Sequence, residues 1–311
     1  MAEIFDKFPG KKGLLKNPVI VENTNGNIEI IREFDGSNIS VGLFDFDGTL
    51  SDERVGWPNL MVATNSAFFM SYTENKLSHK EAEKSVIEDI EKTIGIPTYM
   101  QMKRLVAMIE KSGHNGANLD PKLFKDVYNN SLVSMVESRR QQIKSGEISM
   151  EDLRIKGSVE LLEELSKMLT DGIYLATGSD VDAIKESVDY LGFSKFFPKD
   201  RIAGAGSLGP EDDAKEAVIK KMLTEYSIKG NQLLTFGDGF PEILHTHLAG
   251  GIAVGVLTRD HSYYEHLGHF TIEQKEQRLR NAGAHIIVRN PYQNIPELVK
   301  IIKEGYSESN E

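Results

Sequence analysis

The strongest constraint on the fold is a repeated alternation of short apolar runs and amphipathic segments in the C-terminal half of this 311-residue chain. The apolar runs are GIYLA (172–176), RIAGA (201–205), QLLTF (232–236), GIAVGV (251–256) and HIIV (285–288). Amphipathic segments with apolar residues three and four apart separate the first four runs. Because strands that alternate with helices form βαβ units, the pattern predicts an α/β fold with a doubly wound, Rossmann-like parallel sheet.

The first strand of this sheet lies far upstream, at VGLF (41–44). Between about residues 58 and 155 the chain carries only helical periodicity, in four segments, and has no strand-like run. We therefore expect a discontinuous α/β catalytic core, formed by residues 39–52 and 156–311. An all-helical cap domain, residues 53–155, interrupts it.

Residues 1–38 precede the core and are expected to form an N-terminal extension. Within it, NTNGN lies between two β-rich runs in the segment 17–33, and Asn-Gly between such runs predicts a β-hairpin. We expect this hairpin to extend or cover an edge of the sheet.

Polar residues follow three of the predicted strands where each strand ends. They are Asp45, Asp47, Gly48 and Thr49 after the first strand, Thr177, Gly178 and Ser179 after GIYLA, and Asp238 and Glu242 after QLLTF. Because the carboxyl ends of parallel strands meet at one edge of a sheet, these side chains should converge there. A cluster of carboxylates is costly unless a hard cation neutralises it, and oxygen ligands suit Mg²⁺. The sequence therefore predicts a Mg²⁺ site beneath the helical insertion.

The motifs DFDGTL, ATGS and GDGFPE, in this order on these strands, resemble the first, second and fourth motifs of the haloacid dehalogenase superfamily of phosphohydrolases. The inserted helices resemble the cap at that family's first insertion point, as in phosphoglycolate-phosphatase-like and β-phosphoglucomutase-like members. The resemblance covers residues 39–52 and 156–290. It implies a phosphoric monoester hydrolase that acts through an aspartyl-phosphate.

The resemblance also implies a role for each matched residue. Asp45 would be the nucleophile, and Asp47 would protonate the leaving oxygen and then activate water. Asp45, the main-chain carbonyl of Asp47 and Asp238 would bind Mg²⁺, with Glu242 holding a metal-bound water. Thr177 would hold the phosphate as a further catalytic residue. The other expected phosphate-binding residues are Gly48, Thr49, Gly178 and Ser179.

Members of this family place a lysine, often followed by proline, at the start of the helix before the last motif strand. Here the segment is PEDDAKEAVIKKM, without that proline. Lys215 is expected by position to pair with the nucleophile and the phosphate, and Lys220 is the alternative.

Arg54 follows the catalytic loop and has two interpretations. It could bind a second anionic group of the substrate, or it could form salt bridges at a hinge. Taken singly, DFDGT could be a metal-free turn and Thr177 a plain helix N-cap, because Asp, Gly and Thr are common in turns and caps.

Composition narrows the remaining function classes. A net charge of −11 argues against nucleic acid as a partner, and no apolar run approaches the length of a membrane helix. The chain has no cysteine, and residues 1–17 lack the apolar core of a signal peptide, so we expect a cytoplasmic protein. The expected substrate is a small phosphorylated metabolite. A phosphotransferase or phosphomutase acting on a sugar phosphate, and a non-catalytic binding module, are the alternatives, and the oligomeric state stays open.

Overall fold

The structure is a computed structural model that describes residues 7–73, 77–113, 119–205, 214–224, 227–289 and 292–308. The strands within these ranges are β1 (Val19–Ile20), β2 (Ile28–Ile30), β3 (Val41–Phe44), β4 (Gly172–Asp180), β5 (Ile202–Ala205), β6 (Leu233–Gly237), β7 (Ile252–Val256) and β8 (Ile286–Val288). They form one sheet with the order β1-β2-β8-β7-β6-β3-β4-β5. The strands from β8 to β5 pair in parallel, and β1 and β2 pair antiparallel. The predicted doubly wound parallel core is confirmed.

Helices cover the sheet and fill the gap between β3 and β4. The four helices in that gap are α1 (Trp57–Tyr72), α2 (His79–Thr93), α3 (Thr98–Lys111) and α4 (Pro121–Lys144). The helices that follow are α5 (Ser158–Ser166), α6 (Val181–Tyr190), α7 (Ala214–Thr224), α8 (Phe240–Ala249), α9 (Ile272–Ala282) and α10 (Ile295–Glu304). The all-helical insertion is therefore confirmed, whereas α9 and α10 were not predicted from the sequence. The cap boundaries at residues 53 and 155 stay a prediction.

The central strands are apolar because both faces of the sheet are covered. Every residue of β3, β6 and β7 is buried. Phe44 and Phe236 are register partners on β3 and β6, and their rings stack with centroids 5.0 Å apart. In this register the ends of β3 and β6 are adjacent, so the residues that follow the two strands are neighbours at the edge of the sheet.

The four inserted helices share a hydrophobic cluster with Tyr264 and Phe270, which lie before α9. It includes Met61, Phe69, Val86, Ile90, Met102, Leu105, Phe124 and Tyr128. The turn between α2 and α3 contains Gly95, at φ +93°, where a Cβ atom would lie 2.8 Å from Pro241 Cδ. A Cβ atom on Gly178 would likewise lie 3.5 Å from the carbonyl oxygens of Gly95 and Ile96. The insertion therefore lies against the carboxyl edge of the sheet.

The N-terminal hairpin has the predicted place and turn. Asn25 and Gly26 have φ angles of 51° and 77°, and the Asn27 N–H donates to the Thr24 carbonyl at 2.8 Å. Two successive positive φ angles are typical of a type I′ turn, which Asn-Gly favours. Because β2 pairs with β8, the hairpin extends the sheet edge, as expected.

In the described part of the chain, no helix combines the length and the apolar character needed to span a membrane.

Candidate active site

Three neighbouring strands bring the predicted site residues to one edge of the sheet. Asp45 follows β3, Asp238 follows β6, and Thr177 lies in β4 on the other side of β3. The Asp45 N–H donates to the Phe236 carbonyl at 3.0 Å, which continues the sheet pairing to the aspartate itself. Asp45 is consequently buried at a fixed position, with 6% of its surface exposed.

The environment of Thr177 differs from the sequence prediction. The strand was expected to end at Ala176, with Thr177 at a helix N-terminus, but β4 continues to Asp180 before α6 begins. An irregularity in the β4–β5 register between Ala176 and Asp180 lets the strand continue through this segment. Thr177 Oγ1 accepts a hydrogen bond from the Ser179 N–H at 3.2 Å. The prediction that Thr177 begins a helix is therefore wrong, although the residue lines the cavity beside Asp45.

Lys215, at the start of α7, is the buried cation of the site. Its Nζ atom lies 3.3 Å from Asp45 Oδ2 and donates to Glu242 Oε2 at 2.6 Å. The other oxygen of Glu242 accepts from the Gly239 N–H at 2.8 Å. Lys220, the alternative, is exposed and pairs with Glu216 on the surface of the same helix. The structure therefore places Lys215, and not Lys220, beside Asp45.

Three carboxylates could hold a metal ion. Oxygens of Asp45, Asp238 and Glu242 lie within 4.8 Å of one another. Burial raises the pKa of Asp45 well above its usual value, Lys215 opposes this, and the charges of Glu242, Asp238 and Asp47 raise it further. A divalent cation would favour the ionised form, and oxygen donors of this kind suit Mg²⁺. The residues thus fit the ion, with Asp45 and Asp238 as the better ligands because both Glu242 oxygens already accept hydrogen bonds.

Asp47 lies apart from this cluster, toward the cap. Arg54 Nη1 donates to its Oδ1 at 3.1 Å, and Ser179 Oγ donates to its Oδ2 at 2.9 Å. The two carboxylate oxygens are therefore held from different elements. This fixes the orientation of Asp47 beside the cavity.

Arg54 forms salt bridges, which is one of the two interpretations that the sequence left open for it. It also donates to Glu53 at 3.4 Å and to Ser187 Oγ at 3.0 Å. Glu53 is fully buried and accepts from Arg140 of α4 at 2.8 Å. This network joins the catalytic loop to the inserted helices and to α6. Arg54 nevertheless lines the cavity.

Gly48 and Thr49 do not line the cavity. Gly48 has φ +74°, and a Cβ atom there would lie 2.3 Å from Asp238 Oδ2, so glycine is needed for the turn beneath the site. Thr49 is fully buried because the chain turns inward, with the Thr49, Leu50 and Ser51 N–H groups donating to the Phe46 carbonyl. The structure thus does not bring the Thr49 hydroxyl to the phosphate position that was expected for it.

Lys275, on α9, is a site residue that the sequence reasoning missed. Its Nζ atom donates to Asp238 Oδ2 at 2.9 Å, to Asp260 Oδ1 at 3.0 Å and to the Thr258 carbonyl at 2.9 Å. Burial lowers the pKa of Lys275, but Asp238 and Asp260 together raise it by more, so its pKa lies above the usual value of a lysine. The sequence gives no clear signal for it, because the buried side of α9 consists of Lys275, Leu279 and Ala282, and two apolar residues do not make a recognisable stripe.

These side chains surround a cavity of about 100 Å³ between the sheet edge and the inserted helices. From the sheet side it is lined by Asp45, Asp47, Arg54, Thr177, Gly178, Ser179, Lys215, Asp238, Gly239 and Asp260. From the insertion it is lined by Trp57, Met61, Ile94, Gly95, Ile96, Thr98, Gln101, Tyr128 and Leu132. Asp45, Lys215, Asp238 and Asp47 thus share one small enclosure, an arrangement suited to phosphoryl transfer.

The sequence of the chain matches a family of known proteins. A family model described as haloacid dehalogenase-like hydrolase matches residues 39–250. No curated protein matches the chain.

Solved structures share the fold at low sequence identity. A haloacid dehalogenase-like protein of unknown function from Agrobacterium tumefaciens is 16% identical, with a TM-score of 0.51 over 86% of this chain and 100% of that one. A phosphonoacetaldehyde hydrolase-like protein from Oleispira antarctica is 15% identical, with a TM-score of 0.55 over 88% and 97%. A β-phosphoglucomutase from Clostridium difficile is 16% identical, with a TM-score of 0.52 over 85% and 97%. At these identities the likeness extends to the fold alone.

Proposed function

The chain belongs to the haloacid dehalogenase-like hydrolases, and on that premise we propose that it is a Mg²⁺-dependent phosphatase of a small phosphorylated metabolite. The observation that carries the proposal is the environment of Asp45. This buried carboxylate lies 3.3 Å from the Lys215 ammonium and next to the Asp238 carboxylate, at the edge of a cavity large enough for a phosphoryl group. Phosphoryl transfer depends mainly on such positioning and charge neutralisation.

In the first half of the proposed reaction, Asp45 attacks the phosphorus atom and forms an aspartyl-phosphate. The bond to the leaving oxygen breaks, and that oxygen takes a proton from Asp47. Lys215 and Thr177 would contact the transferred group, since both line the cavity beside Asp45. The chemistry that bound Mg²⁺ supplies is neutralisation of phosphoryl charge, and Asp45 and Asp238 are the residues that would hold it.

In the second half, Asp47 accepts a proton from water, and the resulting hydroxide attacks the phosphorus of the aspartyl-phosphate. Inorganic phosphate leaves and Asp45 is restored. The hydrogen bonds from Arg54 and Ser179 keep Asp47 oriented toward the reacting group through both steps. We propose that helices α1 to α4 act as a cap that excludes bulk water while the aspartyl-phosphate exists.

The proposal is tested by phosphate release from a panel of phosphate monoesters, including p-nitrophenyl phosphate. We expect release by the wild type that requires Mg²⁺ and stops with a chelator. Asp45→Asn, which removes the nucleophile while keeping its shape, should abolish it. Asp182→Asn is the matched control, because Asp182 is an exposed aspartate on α6. Equal activity of Asp45→Asn and the wild type would overturn the proposal, and transfer to a sugar hydroxyl without release to water would favour a phosphotransferase.

A further inference from the structure

The wall that helices α1, α3 and α4 and the turn between α2 and α3 contribute to the cavity carries no charged side chain among the described residues, since Arg54 precedes α1. Its side chains are mainly apolar or aromatic: Trp57, Met61, Ile94, Ile96, Tyr128 and Leu132. Thr98 and Gln101 add polar but neutral groups, and the Gln101 amide nitrogen donates to the Thr93 carbonyl at 3.3 Å. The part of the substrate that faces this wall therefore meets a neutral surface.

The charged side chains that line the cavity are acidic in excess. Arg54 and Lys215 are its cations, and four aspartates, Asp45, Asp47, Asp238 and Asp260, line it as well. Each of the two cations is engaged by carboxylates, Arg54 by Asp47 at 3.1 Å and Lys215 by Glu242 at 2.6 Å. Lys275, which contacts Asp238 and Asp260, and a bound Mg²⁺ would offset part of this excess, but both cations of the described lining already have carboxylate partners, so a second anionic group would find no cation to pair with.

The size of the cavity points to a small leaving group. Its volume is about 100 Å³. For comparison, an engineered apolar cavity of about 150 Å³ holds a benzene molecule. A phosphoryl group and a short carbon skeleton fill the available space, and a carboxylate against Trp57 or Ile94 would lose its water without gaining a partner.

Building on the phosphatase function proposed above, we infer that the substrate is the phosphate monoester of a small, uncharged alcohol with a mainly apolar carbon skeleton. Esters that carry a second carboxylate or phosphate group are discriminated against by the neutral wall and the acidic excess. Specificity of this kind arises from unpaired, desolvated charge on the wrong substrate.

The test compares two esters of similar size, n-propyl phosphate and phosphoglycolate. Phosphoglycolate carries a carboxylate where n-propyl phosphate carries an ethyl group. We expect kcat/KM of the wild type to be at least about tenfold higher for n-propyl phosphate. An equal or higher kcat/KM for phosphoglycolate would overturn the inference and leave the phosphatase function intact. Absence of phosphate release from any ester would instead overturn the phosphatase function on which the inference rests.

A cation placed on the neutral wall should reverse the preference. Leu132→Arg is expected to raise the ratio of kcat/KM for phosphoglycolate over n-propyl phosphate at least about fivefold. Val133→Arg is the matched control, because Val133 is the next residue on α4, is 55% exposed and does not line this cavity. If Leu132→Arg does not fold, Thr98→Lys places a cation on the same wall. An unchanged ratio in a folded wall variant would contradict the inference.

Discussion

The Nζ atom of Lys275 lies 2.9 Å from Oδ2 of Asp238, so a buried cation is fixed beside one of the two residues expected to hold Mg²⁺. The same ammonium donates to Asp260 and to the Thr258 carbonyl, which occupies all three of its N–H groups. Asp238 therefore has one oxygen held in place by Lys275, and its other oxygen is the one that would bind the proposed Mg²⁺. Lys275 is a positioning residue in this arrangement, acting through Asp238.

Lys275→Met should destabilise the protein strongly, because Asp238 and Asp260 would lose their shared buried partner. Removing one member of a buried ion pair costs about 3–5 kcal/mol of unfolding free energy. Urea unfolding monitored by circular dichroism measures the change. The double variant Lys275→Met/Asp260→Asn removes one of the orphaned charges and should regain part of the loss. A single variant within about 1 kcal/mol of the wild type would show that the pairing contributes little.

Lys215→Met should lower kcat for phosphate release at least about 10²-fold, because it removes the cation that lies 3.3 Å from Asp45, the proposed nucleophile. Lys220→Met is the control on the same helix, since Lys220 is exposed and pairs with Glu216. Its kcat should stay within about twofold of the wild type. Similar losses in both variants would mean that Lys215 acts through the stability of α7 and not through the reacting groups.

Gly48→Ala should impair Mg²⁺ binding, whereas Gly56→Ala should not. Both glycines have left-handed φ angles, +74° and +82°, so each substitution carries a comparable backbone strain of about 1–2 kcal/mol. A Cβ atom at Gly48 would lie 2.3 Å from Asp238 Oδ2, while at Gly56 the nearest atom is 3.8 Å away. Calorimetry should show Mg²⁺ affinity reduced about 10–100-fold in Gly48→Ala alone. Equal affinities in the two variants would exclude a role for this close contact.

Acid should destabilise the fold partly through His285. Burial, with smaller effects of His247 and Arg32, lowers the pKa of His285 from 6.5 to about 3. As the pH falls, the His285 ring takes up a proton in the unfolded chain before it does so in the folded protein. The contribution of neutral His285 to the free energy of unfolding is therefore complete above about pH 6.5. It is lost as the pH falls toward 3, at about 1.4 kcal/mol per pH unit.

His285→Gln tests that pH dependence. The ring Nδ1 accepts a hydrogen bond from the Ala253 N–H at 3.1 Å, and glutamine keeps an acceptor without the titration. The free energy of unfolding of the variant should therefore fall less steeply between pH 6 and pH 4 than that of the wild type. Parallel curves for the two proteins would show that His285 does not contribute.

The fold was predictable where local pattern and burial agree. The first half of β4 and the strands β3 and β5 to β8 are mainly apolar because both sheet faces are covered, and α1 to α4 carry clear helical periodicity. Helix α9 (IEQKEQRLRNA) was missed because Lys275, Leu279 and Ala282 form its buried side, and two apolar residues do not make a recognisable stripe. A lysine counts as a solvated residue in any sequence pattern. Only the tertiary placement of two carboxylates makes its burial favourable.

The site, like the fold, was predictable where the sequence pattern specifies it and not where it depends on backbone turns or tertiary contacts. Asp45, Asp47 and Asp238 line one cavity because they follow neighbouring parallel strands, and the alternating pattern predicts that the carboxyl ends of such strands share an edge. The location of Thr49 and the continuation of β4 beyond Thr177 depend on backbone turns and a register irregularity that residue types do not specify. Asp260 and Lys275 come from segments without a motif. Their contacts with Asp238 are visible only once the chain is folded.

The most direct measurement is detection of a phosphorylated Asp45. The wild type is mixed with Mg²⁺ and the ester of the panel that releases phosphate fastest, quenched within milliseconds and reduced with borohydride, which converts an aspartyl-phosphate to homoserine. Peptide mass spectrometry should then find homoserine at position 45, and none in Asp45→Asn. Reduction at another aspartate, or rapid phosphate release with no residue modified, would contradict the assignment of Asp45 as the nucleophile.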